Sequence, residues 1–158
     1  MLKELLRDTF AFIQPAAIVG DLTAEEAARR LELSPHSIGE ILAHVTFWQD
    51  WFLARCRGEA LPMVAVAADG WPPLDPSAWT GLRDRFVAGL DAAVGMADEA
   101  ARSDRPISPA IEFPPMAALT LRDALTHVAV HNAHHLGQIV TLRQLMGRWP
   151  PPSGPWTW

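Results

Sequence analysis

Cysteine is nearly absent from this chain, with Cys56 standing alone among 158 residues. A single thiol excludes an internal disulfide framework and fits a reducing compartment, so a cytoplasmic protein is expected. Positive charge is also in short supply, since 13 Lys and Arg face 18 Asp and Glu, for a net charge of −5. With no cluster of basic residues to form a positive face, no nucleic-acid partner is expected. No uncharged apolar run reaches the roughly 18 residues needed to cross a bilayer. The opening MLKELLRDTF is charged every few residues, unlike the apolar region of a secretory signal peptide. No membrane partner is expected either. Strand-like alternation, internal repeats and low-complexity runs are missing as well, which leaves helices as the building material.

What is present is an ordinary soluble balance, 49% apolar and 20% charged, in a chain the length of one domain. Residues 1–158 are therefore expected to form a single unit. Helical periodicity runs over about 2–19, 37–57, 76–102 and 120–146, and the prolines of 148–158 make a non-helical tail. Pro15 either kinks the first helix or ends it early, and Thr23 with Glu26 opens a short extra helix. Ser37 with Glu40 is a capping box for the second long helix, which stops at Gly58. Asp75 followed by Pro76 starts the third, where Gly81, Gly89 and Gly95 lower helix propensity and packing must compensate. Thr120 with Asp123 starts the fourth, and Gly147 ends it.

The stretch from Glu59 to Leu74, punctuated by proline and glycine, is too long for a hairpin and suits a crossover between helices that are not antiparallel neighbours. The expected fold is all-α, a four-helix bundle with long crossover connections. Trp149, Trp156 and Trp158 are costly to leave in water, so the tail should pack on the bundle or on a second copy, and a homodimer is expected.

The chemistry concentrates in THVAVHNAHHLGQIVTLRQLM, where four of the chain's six histidines fall within nine residues. On a helix of about 3.6 residues per turn, His127, His131 and His135 stack at i+4 steps, with His134 beside His131. Several imidazoles on one core-facing stripe need partners for every ring nitrogen. They are either individually hydrogen-bonded core histidines or joint ligands of a divalent ion, the i,i+4 geometry that HExxH zinc sites also use. Asn132 follows His131 where those proteases carry their glutamate base, so a zincin is not expected. A further histidine, His44, sits in the apolar SIGEILAHVTFWQDWFLARCRG, in one row with Glu40, Trp48 and Trp51.

SIGEILAHVTFW together with the distal HNAHHLGQI resembles the DinB/YfiT-like family of metal-dependent enzymes, which is unrelated to the DNA polymerase of similar name. The order and spacing of segments match over nearly the whole chain. The resemblance implies a four-helix bundle whose metal, nickel or zinc above all and iron or manganese as alternatives, is held by His44, His131 and His135. It assigns His127 and His134 to supporting or surface roles. Leu136 departs from the pattern, since many members have a basic residue there, which removes an anchor for an anionic group beside the last ligand.

Three histidines leave coordination positions open, as in a catalytic site. The implied activity is that of a metal-dependent enzyme acting on a small molecule, either a thiol S-transferase using a low-molecular-weight thiol or a hydrolase. The alternative is a non-catalytic metal-binding stress-response protein. Glu40 and Gln138, each one turn from a ligand, are candidates to orient an imidazole, although Glu40 is also the capping-box partner of Ser37. Trp48 and Trp51 are candidates for a pocket wall or for core.

Overall fold

The computed structural model of the protein describes residues 1–7 and 13–154. It contains α1 (Leu2–Arg7), α2 (Pro15–Val19), α3 (Ala24–Ala28), α4 (Ile38–Cys56), α5 (Trp79–Arg102) and α6 (Leu121–Leu145). Among the described residues there is no strand, only an isolated bridge between Pro106 and Thr120.

The helix boundaries follow local chemistry. Ser37 Oγ accepts from the Glu40 N–H at 3.2 Å, and Glu40 Oε2 accepts from the Ser37 N–H at 2.7 Å, which satisfies two N-terminal donors of α4. Thr120 and Asp123 do the same for α6, and Thr23 and Glu26 for α3. At the other ends, Gly58 and Gly147 adopt φ of +89° and +67°, left-handed conformations that close a helix at little cost only for glycine. Asp75 caps a 3-10 turn, Pro76–Ala78, and the α-helix proper starts at Trp79 rather than at residue 76.

One expected element is corrected. The stretch 2–19 is not one helix: Gln14 is extended, with φ −54° and ψ 138°, and Pro15 opens a separate α2. Proline disfavours helical backbone in the residue before it, so the chain bends there and starts again. Thr9, Phe10 and Phe12, within the expected first helix, lie outside the described residues, as do Trp156 and Trp158 of the tail. Both α1 and α2 pack against α5 and α6, so together they form one corner of the bundle.

Two apolar clusters fill the interior. Ile18, Ile38, Leu42, Val45, Phe86 and Ile139 belong to one, and Leu6, Phe52, Leu53, Ala97, Leu125 and Val128 to the other. Their order along each helix gives the topology. Both α4 and α5 run from the first cluster to the second, while α6 and the α1–α2 pair run the opposite way. The parallel pair α4 and α5 therefore needs the connection 57–78 to travel the length of the bundle, whereas 103–120 joins neighbouring ends.

Where the clusters meet, the interior turns polar. Gln49, His44, Asn132 and His135 are all buried at this level. Gln49 Nε2 donates to the Phe86 carbonyl at 2.9 Å, and Asn132 Nδ2 donates to Gln49 Oε1 at 2.9 Å, tying α4, α5 and α6 together. Gly89 makes room for this link, since a Cβ there would lie 2.1 Å from Gln49 Nε2. The other two glycines of α5, Gly81 and Gly95, face open space instead. Trp149 packs on the first cluster, with the buried Arg143 guanidinium 5.7 Å from its ring.

Candidate metal centre

At the polar level, α4 contributes His44 and α6 contributes His131 and His135. Their ring centroids are 5.1, 4.7 and 4.6 Å apart. One ligand nitrogen from each lies within 4.8 Å of the other two. A small side-chain movement brings such a trio onto one ion, whose bonds to imidazole are about 2.0–2.1 Å for zinc.

The hydrogen bonds determine which nitrogen faces inward. His44 Nδ1 lies 2.6 Å from the Gly70 carbonyl oxygen. A carbonyl only accepts, so Nδ1 carries the proton and Nε2 keeps its lone pair. His135 Nδ1 likewise donates to Gln138 Oε1 at 2.7 Å. The amide orientation is supported by Gln138 Nε2, which lies 3.4 Å from His134 Nε2 and can donate to it. Orienting partners on the outer nitrogen are the usual companions of metal-binding imidazoles. The residues present thus fit a divalent cation.

The electrostatics agree. Burial, reinforced by the neighbouring His135, His44, His127 and His134, pushes the His131 pKa down to about 3. Burial also lowers His44 and His135, against the opposing pull of the Gly70 and Gln138 hydrogen bonds, and lowers His127. All four rings are neutral at pH 7, the protonation state that a metal requires.

The crossover supplies what the helices do not. Trp71 stacks on His44 with centroids 3.8 Å apart, and His36 stacks on the other face of Trp71 at 3.9 Å. The stack is possible because the backbone at Gly70 comes very close to α4; a Cβ on Gly70 would sit 2.6 Å from Trp48 Nε1. Gly70→Ala is therefore expected to push the crossover outward, loosen the acceptor of His44 and weaken zinc binding by about tenfold, the usual scale for losing such a partner. A competition titration against a chromophoric chelator measures it.

Beside His135 opens a pocket of about 380 Å³, walled by Trp71, His36, Ile41, Gln138 and Leu142 among others. The expected walls were Trp48 and Trp51, and neither lines it. Trp51 is buried in the second cluster and donates Nε1 to the Pro62 carbonyl at 2.9 Å, while Trp48 is wedged between Gly70 and the rings of Trp51 and Phe52. Glu40 is also displaced from its candidate role: one carboxylate oxygen accepts from the Ser37 N–H and the other from Arg30. It is a cap and an ion-pair partner. Gln138 is placed against His135.

The remaining histidines sit at the margins. His127 is half-buried, 4.5 Å from the Phe52 ring and stacked parallel to His131 at 5.9 Å, and His134 is exposed. Leu136 is buried in the first cluster, so no basic group stands at that position. Gly70, Trp71 and His36 are the residues that sequence reasoning missed. The one signal for Trp71 was a tryptophan set among glycine and prolines, too costly to leave in water; His36 gave none.

A helical bundle with a three-imidazole cluster at mid-height defines a class, that of bundles able to hold a metal ion between facing helices. The family profile of the DinB superfamily matches residues 16–139, and the chain belongs to that superfamily. No curated protein and no solved structure matches the chain significantly. Among the described residues, no helix is long and apolar enough to cross a membrane.

Proposed function

We propose that the protein is a metal-dependent enzyme acting on a small molecule, with His44, His131 and His135 as ligands of zinc or nickel and a thiol S-transferase or hydrolase activity. The observation that carries this reading is the preset tautomer of His44 and His135. Each has its Nδ1 proton engaged by an acceptor and its Nε2 left free, on rings that bring ligand nitrogens within 4.8 Å of one another and of His131, beside a pocket large enough for a substrate. A divalent ion held there would supply a Lewis acid that polarises an oxygen or lowers the pKa of a thiol or water.

The chain's own residues orient and shield. Gly70 and Gln138 hold two imidazoles in place, and Trp71 covers His44 on the pocket side. The chain's own thiol is unsuited to the chemistry. Cys56 lines a separate small cleft, and burial pushes its pKa up to about 11, so any reacting thiol comes from a small molecule.

Elemental analysis of protein purified without a histidine tag, followed by assays with and without an added thiol, tests the reading. Thiol-dependent consumption of an electrophile identifies a transferase, and thiol-independent cleavage of an ester or amide identifies a hydrolase. His131→Ala is expected to lose metal and turnover together. Turnover that survives without metal would overturn the assignment.

A further inference from the structure

The walls of the pocket beside His135 carry information about what enters it. Its apolar lining includes Leu31, Ile41, Leu142 and the Trp71 ring, and its polar lining is His36, His135 and Gln138 together with Ser34 and Thr141, whose hydroxyls already donate to the His36 and Gly137 carbonyls. No lysine, arginine, aspartate or glutamate is among its described lining residues. At the mouth stand Leu33 and Leu145, 96% and 71% exposed. In the metal-free protein an ionic ligand entering this space would give up hydration and meet no counter-charge from the lining. An apolar one would gain by covering leucine and tryptophan surface that water now touches.

We infer that the pocket selects an uncharged, largely apolar small molecule carrying one polar group, which points to the His36, His135 and Gln138 side. The inference rests on the metal-centre reading only for the direction of that polar group, because the selectivity belongs to the walls. It limits the substrate class: the walls offer nothing to a cationic compound, with or without an ion at the histidines, and neutral aromatic or aliphatic compounds are good fits. The leucines at the mouth then serve as an apolar entry collar.

Calorimetric titration with β-naphthol, β-naphthoate and β-naphthylmethylammonium, matched in shape and differing in charge, tests this on the purified protein before and after chelator treatment. In the metal-free protein, naphthol is expected to bind at least about tenfold more tightly than either ion, since each charge must be stripped of water without compensation. Leu145→Glu, at an exposed position that leaves the core untouched, is expected to weaken naphthol severalfold and improve the ammonium. Equal or tighter binding of either ion to the metal-free, unmodified protein overturns the inference. So does the absence of naphthol binding up to its solubility limit, or affinities that Leu145→Glu leaves unmoved. Selectivity that persists in a protein found unable to hold metal would sink the proposed centre and leave this inference standing.

Discussion

Stripping zinc from the protein is expected to lower its melting temperature, and His44→Ala is expected to erase the difference. A ligand that binds only the native state stabilises it by mass action, by about 2.7 kcal/mol when free ligand is a hundred times its Kd. For a domain of this length that is a rise of roughly 5–10 °C. The native state alone assembles the three imidazoles, because they come from α4 and α6, helices with the whole of α5 and two long connections between them. The quantity to compare is the gap between zinc-loaded and zinc-free melting in each variant. His44→Ala changes the zinc-free value too, since it removes the ring on which Trp71 stacks and the donor to Gly70. A gap of undiminished size in the variant would place the ion elsewhere, and no gap in the unmodified protein would mean that the cluster holds none.

The metal cluster was legible because its information is local and periodic. An i,i+4 histidine pair on a helix defines a common face whatever the tertiary fold, and capping boxes at Ser37 and Thr120 fix where α4 and α6 begin. His44 needed more, namely a bundle that brings the middle of one helix against the middle of another, and the DinB-like pattern supplied that expectation. The pocket was less legible for an equally physical reason. Trp48 and Trp51 share a row with His44 on paper, but α4 is enclosed over much of its circumference, so that row meets other protein rather than a cleft. The wall instead comes from Trp71 and His36, on irregular backbone whose path depends on where the crossover docks. Nothing periodic marks such residues. Only the close approach at Gly70 explains how a tryptophan far from His44 in sequence comes to lie flat against it.

Glu40 is the opposite case, in which the sequence offered two roles for one carboxylate, helix cap and imidazole partner, and the cap is the one formed. Its pKa is lowered even though burial opposes the shift, because the Ser37 N–H and Arg30 both stabilise the anion. A helix start and a metal partner compete for the same side chain here, and the helix start wins because its N–H groups have no other acceptor.

The metal-free protein is expected to lose stability steadily as pH falls from about 6.5 toward 4, with His131 a main cause. Its folded pKa, pushed down to about 3 by burial, lies below the ordinary histidine value of 6.5. Between those values the unfolded chain holds a proton that the native state excludes, so the stability slope with pH is positive. The stability associated with a neutral His131 is thus present above the unfolded value and is lost on acidification. Each imidazole kept neutral in this way contributes at most about 1.4 kcal/mol per pH unit. His44, His135 and His127 are shifted in the same direction. The carboxylates of Glu26 and Asp123, whose pKa values are lowered by their capping bonds, add to the loss only at lower pH, below their ordinary values of 4.5 and 3.8. The histidines set the sign in the interval from about pH 6.5 to 5, against the opposing contribution of Asp50, whose pKa is raised by burial and which takes up its proton sooner in the native state. Urea unfolding across it should show a shallower dependence in His131→Ala than in the unmodified protein, whereas zinc should steepen the dependence, because ligation demands that all three ligand rings be free of the extra proton. Identical slopes for the variant and the parent would mean that His131 is not held neutral by its burial beside His44, His127, His134 and His135.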